Sequence, residues 1–168
     1  MQLLLIRHAI AEERTEFAAT GKRDAERPLT AFGRRRMVRN ARGLRRVVSR
    51  IDLIVSSPYV RARQTARIVA DTLGMEAIAL SEALAPDRHP KEILSWLAER
   101  DAGSAIAAVG HEPHLSRLLQ WSMAQQTESH AVLRKGGVCL LEFEGAVRPG
   151  VAVLQWLLTP RQLRLIGQ

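Results

Sequence analysis

The sequence predicts a three-layer α/β/α fold in which a mixed, mostly parallel sheet lies between two layers of helices, and three observations carry that expectation. Short apolar runs alternate with longer segments whose apolar residues recur at helical spacing. The first run contains four consecutive large aliphatic residues, Leu3 to Ile6, which suits a strand covered on both faces. The last two apolar runs are joined by a turn containing Gly145, Pro149 and Gly150, which suits an antiparallel pair.

Taken in order, Gln2 to Arg7 reads as the first strand. The polar, aperiodic stretch from Ala9 to Arg27 reads as a long loop, and long loops in compact domains are usually functional or mobile. Thr30 can cap a helix running to about Ser49, with Met37, Val38, Ala41, Leu44 and Val48 as its apolar stripe. Arg35, Arg39, Arg42, Arg46 and Arg50 fall on the opposite side, as a solvated face or as a docking surface for an acidic partner. Asp52 to Ser56 is a second strand, after which Ser57-Pro58 opens a helix to about Leu73, because proline tolerates the first helical turn. A short strand at Glu76 to Leu80, a loop from Ser81 to Pro90 and a helix from Lys91 to about Arg100 follow. Ser104 to Gly110 is another strand, Pro113 starts a helix to about Met123, and the closing strands lie near Val138 to Phe143 and Val151 to Leu157.

A chain of 168 residues, 46% of them apolar, suits one folded unit over residues 1–168. The single cysteine, Cys139, lies in an apolar run and cannot form an internal disulfide, which points to a reducing compartment rather than to a nucleophile. Met1 to Ile6 is too short for a signal-peptide core, and no window has the roughly 18 apolar residues of a membrane span, so a cytoplasmic protein without membrane attachment is expected. The net charge of +8 comes from 25 basic residues, nearly all arginine, against 17 acidic ones. That balance favours anionic partners in general: phosphorylated molecules, acidic protein surfaces or nucleic acid.

In open α/β sheets, ligands bind beyond the carboxyl ends of the strands. Three segments deliver chemically capable side chains to that edge: Arg7-His8 after the first strand, Ser56-Ser57-Pro58 with Arg61 after the second, and Gly110-His111 after the fourth. Two guanidinium forks can neutralise a phosphoryl dianion that would otherwise repel a nucleophile. A neutral imidazole can attack phosphorus in line, with water as the second acceptor. A second histidine can stabilise the phosphoryl oxygens by donating a hydrogen bond. With arginines supplying the positive charge, no metal or other cofactor is expected.

The residues that converge there also resemble a known family. Leu5-Ile6-Arg7-His8-Ala9 is similar to the opening signature of the histidine phosphatase (phosphoglycerate mutase-like) superfamily. The run Ser56-Ser57-Pro58-Tyr59-Val60-Arg61-Ala62-Arg63-Gln64-Thr65-Ala66 is similar to its second signature, and Gly110-His111-Glu112-Pro113 to its third. With Arg27-Pro28-Leu29-Thr30 and Gly33 the likeness spans residues 1 to about 125, and its wording most resembles the bacterial SixA-type phosphohistidine phosphatases. The resemblance implies a phosphatase with a phosphoglycerate mutase-like fold, His8 as phosphoacceptor, Arg7 and Arg61 as phosphate ligands, and His111 completing the pocket.

Two departures bear on chemistry. Ala9 stands where the family usually has glycine, so the backbone there need not adopt a glycine-only conformation. Larger members also carry a carboxylate general acid after the third strand, where this chain offers only Glu82 and Asp87, each equally readable as a surface or turn residue. A phosphoramidate leaves as neutral imidazole once its ring nitrogen is protonated, so a dedicated acid matters less than the 10²–10⁴-fold it typically contributes. The expected substrate is therefore phosphohistidine in a protein, such as a histidine phosphotransfer domain of a signalling protein. A small phosphorylated metabolite is the alternative.

Gly110-His111-Glu112-Pro113-His114 superficially resembles a zinc-protease helix, but its histidines are three apart rather than four, with proline between them. His114 is read instead as a helix-surface residue or a pocket neighbour. His89 and His130 read as solvated loop histidines, although the Lys135-Gly136-Gly137 turn following His130 can approach the site. A basic nucleic-acid-binding protein is the competing reading from another class; at 4% aromatic content the chain offers no stacking platform for it.

Overall fold

The computed structural model describes all 168 residues. Six strands form one mixed sheet: β1 (Gln2–Arg7), β2 (Leu53–Ser56), β3 (Ala79–Leu80), β4 (Ala105–Gly110), β5 (Val138–Glu142) and β6 (Val153–Leu158), in the spatial order β3-β2-β4-β1-β5-β6. β1 to β4 run parallel; β5 runs antiparallel to β1, and β6 to β5. Six helices accompany them: α1 (Arg14–Ala18), α2 (Ala31–Val47), α3 (Val60–Leu73), α4 (Pro90–Ala98), α5 (His114–Ala124) and α6 (Pro160–Ile166).

The sheet has a core on each face, because a central strand with aliphatics at every position sends them alternately up and down. Leu3 and Leu5 point into the core completed by Ile93 and Leu97 of α4 and Leu115 and Leu118 of α5. Leu4 and Ile6 point into the other, against Met37, Ala41 and Leu44 of α2, Ala62, Ala66 and Val69 of α3, and Leu163 of α6. Truncating any of these fully buried leucines to alanine is expected to cost about 2–5 kcal/mol.

The structure corrects the sequence reading in several places. The stretch 9–27 is not featureless: it holds α1 and a 3-10 turn, Asp24–Glu26, and its ends are joined where Glu12 N–H donates to the Pro28 carbonyl (3.0 Å) and Thr30 N–H to that of Ile10 (3.1 Å). α3 begins at Val60 rather than at Pro58, because Tyr59 keeps an extended backbone (ψ 134°) as its N-cap, in a turn where the Ser57 hydroxyl accepts the Tyr59 N–H (3.4 Å). The third strand shrinks to two residues. α6 was missed altogether, although Thr159-Pro160-Arg161-Gln162 carries its signal: the Thr159 hydroxyl accepts from Gln162 N–H while the Gln162 side chain accepts from Thr159 N–H. α6 packs on α2 at Gly43, where an added Cβ would collide with the Leu163 carbonyl. Thr30 does cap α2, its hydroxyl accepting from Gly33 N–H at 2.9 Å.

Candidate active site

Register explains how distant motifs meet. In the parallel pairing Arg7 lies opposite Gly110, and Ser56 lies opposite Val109. One step past each strand end, the ladder continues: His8 N–H donates to the Gly110 carbonyl (3.0 Å) and Ser57 N–H to that of Val109 (2.9 Å). His8, Ser57 and His111 therefore emerge at one height on the carboxyl edge. The rings of His8 and His111 lie 5.1 Å apart, both buried.

His8 Nδ1 is 2.7 Å from the Ala9 carbonyl oxygen. A carbonyl can only accept, so the ring proton resides on Nδ1 and the Nε2 lone pair is left free. Burial, followed by the nearby charges of Arg61, Arg7 and Arg27, pushes the His8 pKa down to about 3, against the Ala9 hydrogen bond that favours the charged form. The ring is thus neutral at physiological pH. Ala9 has no positive φ, and its N–H donates to the Thr65 hydroxyl (3.0 Å), so alanine fits where the family's glycine is usual.

His111 Nε2 lies 2.8 Å from the Ser57 hydroxyl. The same hydroxyl oxygen accepts from Tyr59 N–H (3.4 Å), so Ser57 fixes both the turn and the orientation of the His111 ring. Burial first, then the charges of His8 and Arg61, pushes the His111 pKa down to about 2. Tyr59 closes over the group, its ring edge-on to His111 at 5.0 Å and beneath the Arg61 guanidinium at 4.9 Å.

The two arginines are fixed by oxygen atoms of the fold. Arg7 donates to the Leu133 carbonyl at 2.7 Å. Arg61, only 4% exposed, donates to the Asp24 carbonyl (2.7 Å) and to its carboxylate (3.0 Å). Burial lowers the pKa of both guanidinium groups, opposed by Glu112 for Arg7 and by Asp24 for Arg61. Nε of Arg7 and Nε of Arg61 are buried donors without a partner in the fold, and Nδ1 of His111 is likewise buried and unpartnered.

Sequence reasoning brought Ser57 to this edge without giving it a role, and missed Asp24, Arg27, Tyr59 and Thr65 as members of this arrangement. Asp24 bridges Arg61 and Arg27 (2.8 Å), and although burial works to raise its pKa, these two arginines together hold it below the usual carboxylate range. It is therefore an ionised anchor, not a proton donor. Its position three residues before Arg27-Pro28-Leu29-Thr30 was the only available signal.

The other candidates stand apart. Glu82 and Asp87 are exposed, and Glu82 hydrogen-bonds to none of Arg7, His8, Arg61 or His111. Glu112 caps α5 through Ser116 and accepts from Leu133 N–H (2.9 Å), thereby holding the carbonyl that receives Arg7. His114 is completely buried rather than on the helix surface, and both its ring nitrogens lack partners. His89 is exposed, but it caps α4 by accepting Lys91 N–H (3.1 Å), and His130 is exposed. The turn after His130 does reach the site: Gly136 N–H donates to the Arg7 carbonyl and Arg7 N–H to that of Gly137, both at 3.1 Å. Cys139 is buried, and burial pushes its thiol up to about 12, which leaves it inert. No helix is long and apolar enough to cross a membrane.

A buried neutral imidazole flanked by two guanidinium groups and a second imidazole at the carboxyl edge of an α/β sheet defines an enzyme class built to handle phosphoryl groups. The chain belongs to the histidine phosphatase superfamily, branch 1, whose sequence profile matches residues 3–85 and so takes in Arg7, His8 and Arg61. Members of this superfamily are phosphatases that hydrolyse phosphate esters without depending on a metal ion. An uncharacterized protein of Picosynechococcus sp. is 33% identical over 150 residues, 88% of each chain. Among solved structures, the protein histidine phosphatase SixA in complex with tungstate superposes with a TM-score of 0.82 at 20% identity, over 97% of this chain and 99% of that one. A candidate SixA phosphohistidine phosphatase from Nakamurella multipartitia gives 0.74 at 27% identity, over 95% of both chains. The alpha-ribazole phosphatase of Shigella flexneri gives 0.74 at 22%, over 95% of this chain and 97% of that one.

Proposed function

We propose that this chain, working as one cytoplasmic catalytic unit over residues 1–168, is a SixA-type phosphohistidine phosphatase with His8 as its phosphoryl acceptor. The observation that carries the reading is the His8 ring itself: Nδ1 is committed to a backbone carbonyl, and Nε2 is a free lone pair near two guanidinium groups, Arg61 buried and Arg7 partly so. In the first step the His8 Nε2 lone pair forms a bond to phosphorus while the bond from phosphorus to the leaving nitrogen breaks. Arg7, Arg61 and the His111 imidazole receive the charge on the equatorial oxygens as it redistributes. Water then attacks phosphorus from the same side as the departed group, the bond from phosphorus to His8 breaks, and the ring returns to its neutral state.

The carboxylate bonded to this cluster, Asp24, is held ionised by Arg61 and Arg27 and so is a poor acid, which favours a P–N substrate, because an imidazole leaving group needs less help from an acid than an alkoxide does. Glu82 is the residue that would serve as acid if an ester were the true substrate. The structural likeness to alpha-ribazole phosphatase keeps a small phosphate ester as the second reading.

The test is mass spectrometry of enzyme quenched during turnover of a phosphorylated substrate, comparing wild type with His8→Ala. An acid-labile phosphate on the peptide containing His8, absent from the variant, is the expected result; a phosphate elsewhere, or none, overturns the mechanism. Hydrolysis of p-nitrophenyl phosphate as fast as of a phosphohistidine protein overturns the substrate assignment while leaving the mechanism standing.

A further inference from the structure

The second concentration of positive charge lies directly beside the first. A half-open groove of about 590 Å³ shares Arg7 with the phosphoryl site and is lined further by Arg36, Arg134, Lys135, Arg161 and Arg164, with no acidic residue along it. None of those five cations forms an ion pair, whereas seven other pairs occur across the molecule.

The groove is held in shape from within. Asn40, buried on the inner face of α2, donates to the Gly136 carbonyl (3.0 Å) and accepts from Arg164 (3.1 Å). Gly136 in turn bonds to the Arg7 carbonyl. One buried amide thus ties α2, α6 and the 134–137 turn to the strand end that bears the catalytic pair. The Arg164 guanidinium is held below its ordinary pKa, first by burial and then by the charges of Arg36 and Arg39. Its surroundings are therefore short of negative charge.

Two features decide what kind of anion fits. Arg164 also lines a second depression of about 310 Å³ with Arg39 and Arg42, so the cationic track continues past the groove along α2. From Arg36 to Arg42 that helix alone rises about 9 Å. No aromatic side chain lines either depression, which removes the stacking surface that single-stranded nucleic acid uses. An extended, non-stacking polyanion remains, and its commonest form on a protein surface is a run of aspartate and glutamate.

We propose that this track receives an acidic polypeptide segment adjoining the phosphorylated residue of a substrate protein, and so selects the substrate by charge outside the phosphoryl pocket. The proposal deepens the phosphohistidine reading and rests on it for the identity of the reacting group. Arg134, Lys135 and Arg161 are exposed and Arg36 partly so, free to meet carboxylates, while Arg7 marks where the track enters the catalytic site.

The test uses the full chain and a triple variant, Arg134→Ser, Lys135→Ser and Arg161→Ser, whose folding is checked by thermal melting. Binding of fluorescent octaglutamate and octaglutamine is followed by anisotropy at low and high salt. Octaglutamate is expected to bind wild type about tenfold more tightly than it binds the variant, with the difference shrinking as salt rises. In parallel, kcat/KM is compared for two peptides carrying a chemically phosphorylated histidine, one followed by glutamates and one by glutamines. The ratio is expected to favour the acidic peptide about tenfold in wild type and to fall towards one in the variant. Equal binding of octaglutamate to both proteins overturns the inference, as does displacement of the peptide by inorganic tripolyphosphate at a lower concentration of charge, which would mark the groove as a polyphosphate site. If octaglutamate binds as expected but neither phosphohistidine peptide is turned over, the phosphohistidine reading falls and the acidic-peptide groove stands.

Discussion

Arg61 and Arg35 carry the same guanidinium group, each near the start of a helix, in opposite solvents. Arg61 is enclosed at the carboxyl edge, with two of its nitrogens committed to Asp24 and a third unpartnered. Arg35 stands on the outer face of α2 in water. Coulombic attraction to an anion is several-fold stronger at the low effective dielectric of the first setting than in bulk water, and it is screened far less by salt. The lesson is that the net charge of +8 is a poor guide to where the chemistry lies. Desolvation and fixed orientation separate Arg7 and Arg61 from the many that keep company with solvent.

The strongest way to break that contrast is at His8, the proposed nucleophile beside Arg7 and Arg61. His8→Ala is expected to lower kcat by about 10⁴-fold or more, since loss of a nucleophile removes the covalent route entirely; steady-state turnover of a phosphoramidate reads it. Arg61→Ala is expected to cost about 10²–10³-fold in kcat/KM, and Arg61→Lys to recover only part of this, because a point charge cannot reproduce the fork.

Asp24 offers a sharper probe of orientation. Asp24→Ala is expected to lower kcat/KM by about tenfold and Asp24→Asn by less, since an amide oxygen can still accept from the second guanidinium nitrogen although its charge is gone. A change of equal size on replacing Arg35 would show that fixation by Asp24 is irrelevant.

Burial also leaves a signature in the pH dependence of stability. His8, His111 and His114 hold pKa values of about 3, 2 and 4, with burial the largest cause in each. Between those values and the ordinary ~6.5 the unfolded chain binds protons that the folded chain refuses. Stability is therefore complete above about pH 6.5 and lost as pH falls towards 4, with each histidine contributing at most about 1.4 kcal/mol per pH unit. Urea unfolding at pH 7 and pH 5 measures the loss, and His114→Leu is expected to flatten it without touching the phosphoryl site.

Least of all is expected at the solvated end of the comparison. Arg35→Ser should change phosphoramidate turnover by less than about twofold and stability by less than about 0.5 kcal/mol.

Much of the architecture was legible because alternation and helical spacing act locally. β1 matches its expected bounds, the antiparallel pair lies where the turn residues put it, and Thr30 caps its helix. Boundaries slipped where a side chain took an unforeseen partner, as Ser57 did with Tyr59 and His111. α6 escaped because its seven residues carry a cap but almost no period, and what steadies it is the close approach at Gly43. Within the site, residues that bring reactive groups were visible as residue types after strands. Those that hold them, such as Asp24 and Thr65, look in sequence like any polar loop or helix residue.

By itself, the sequence determined which side chains were available and which strand ends would carry them, because patterning and motif spacing are properties of consecutive residues. Tertiary structure alone decided that His8 and His111 stand 5.1 Å apart, that Asp24 folds back onto Arg61, and that Asn40 joins a basic groove to the catalytic strand. The physical reason is register: parallel pairing of β1 and β2 on either side of β4 sets three strand ends at one height, and neither pairing distance nor burial is encoded at any single position.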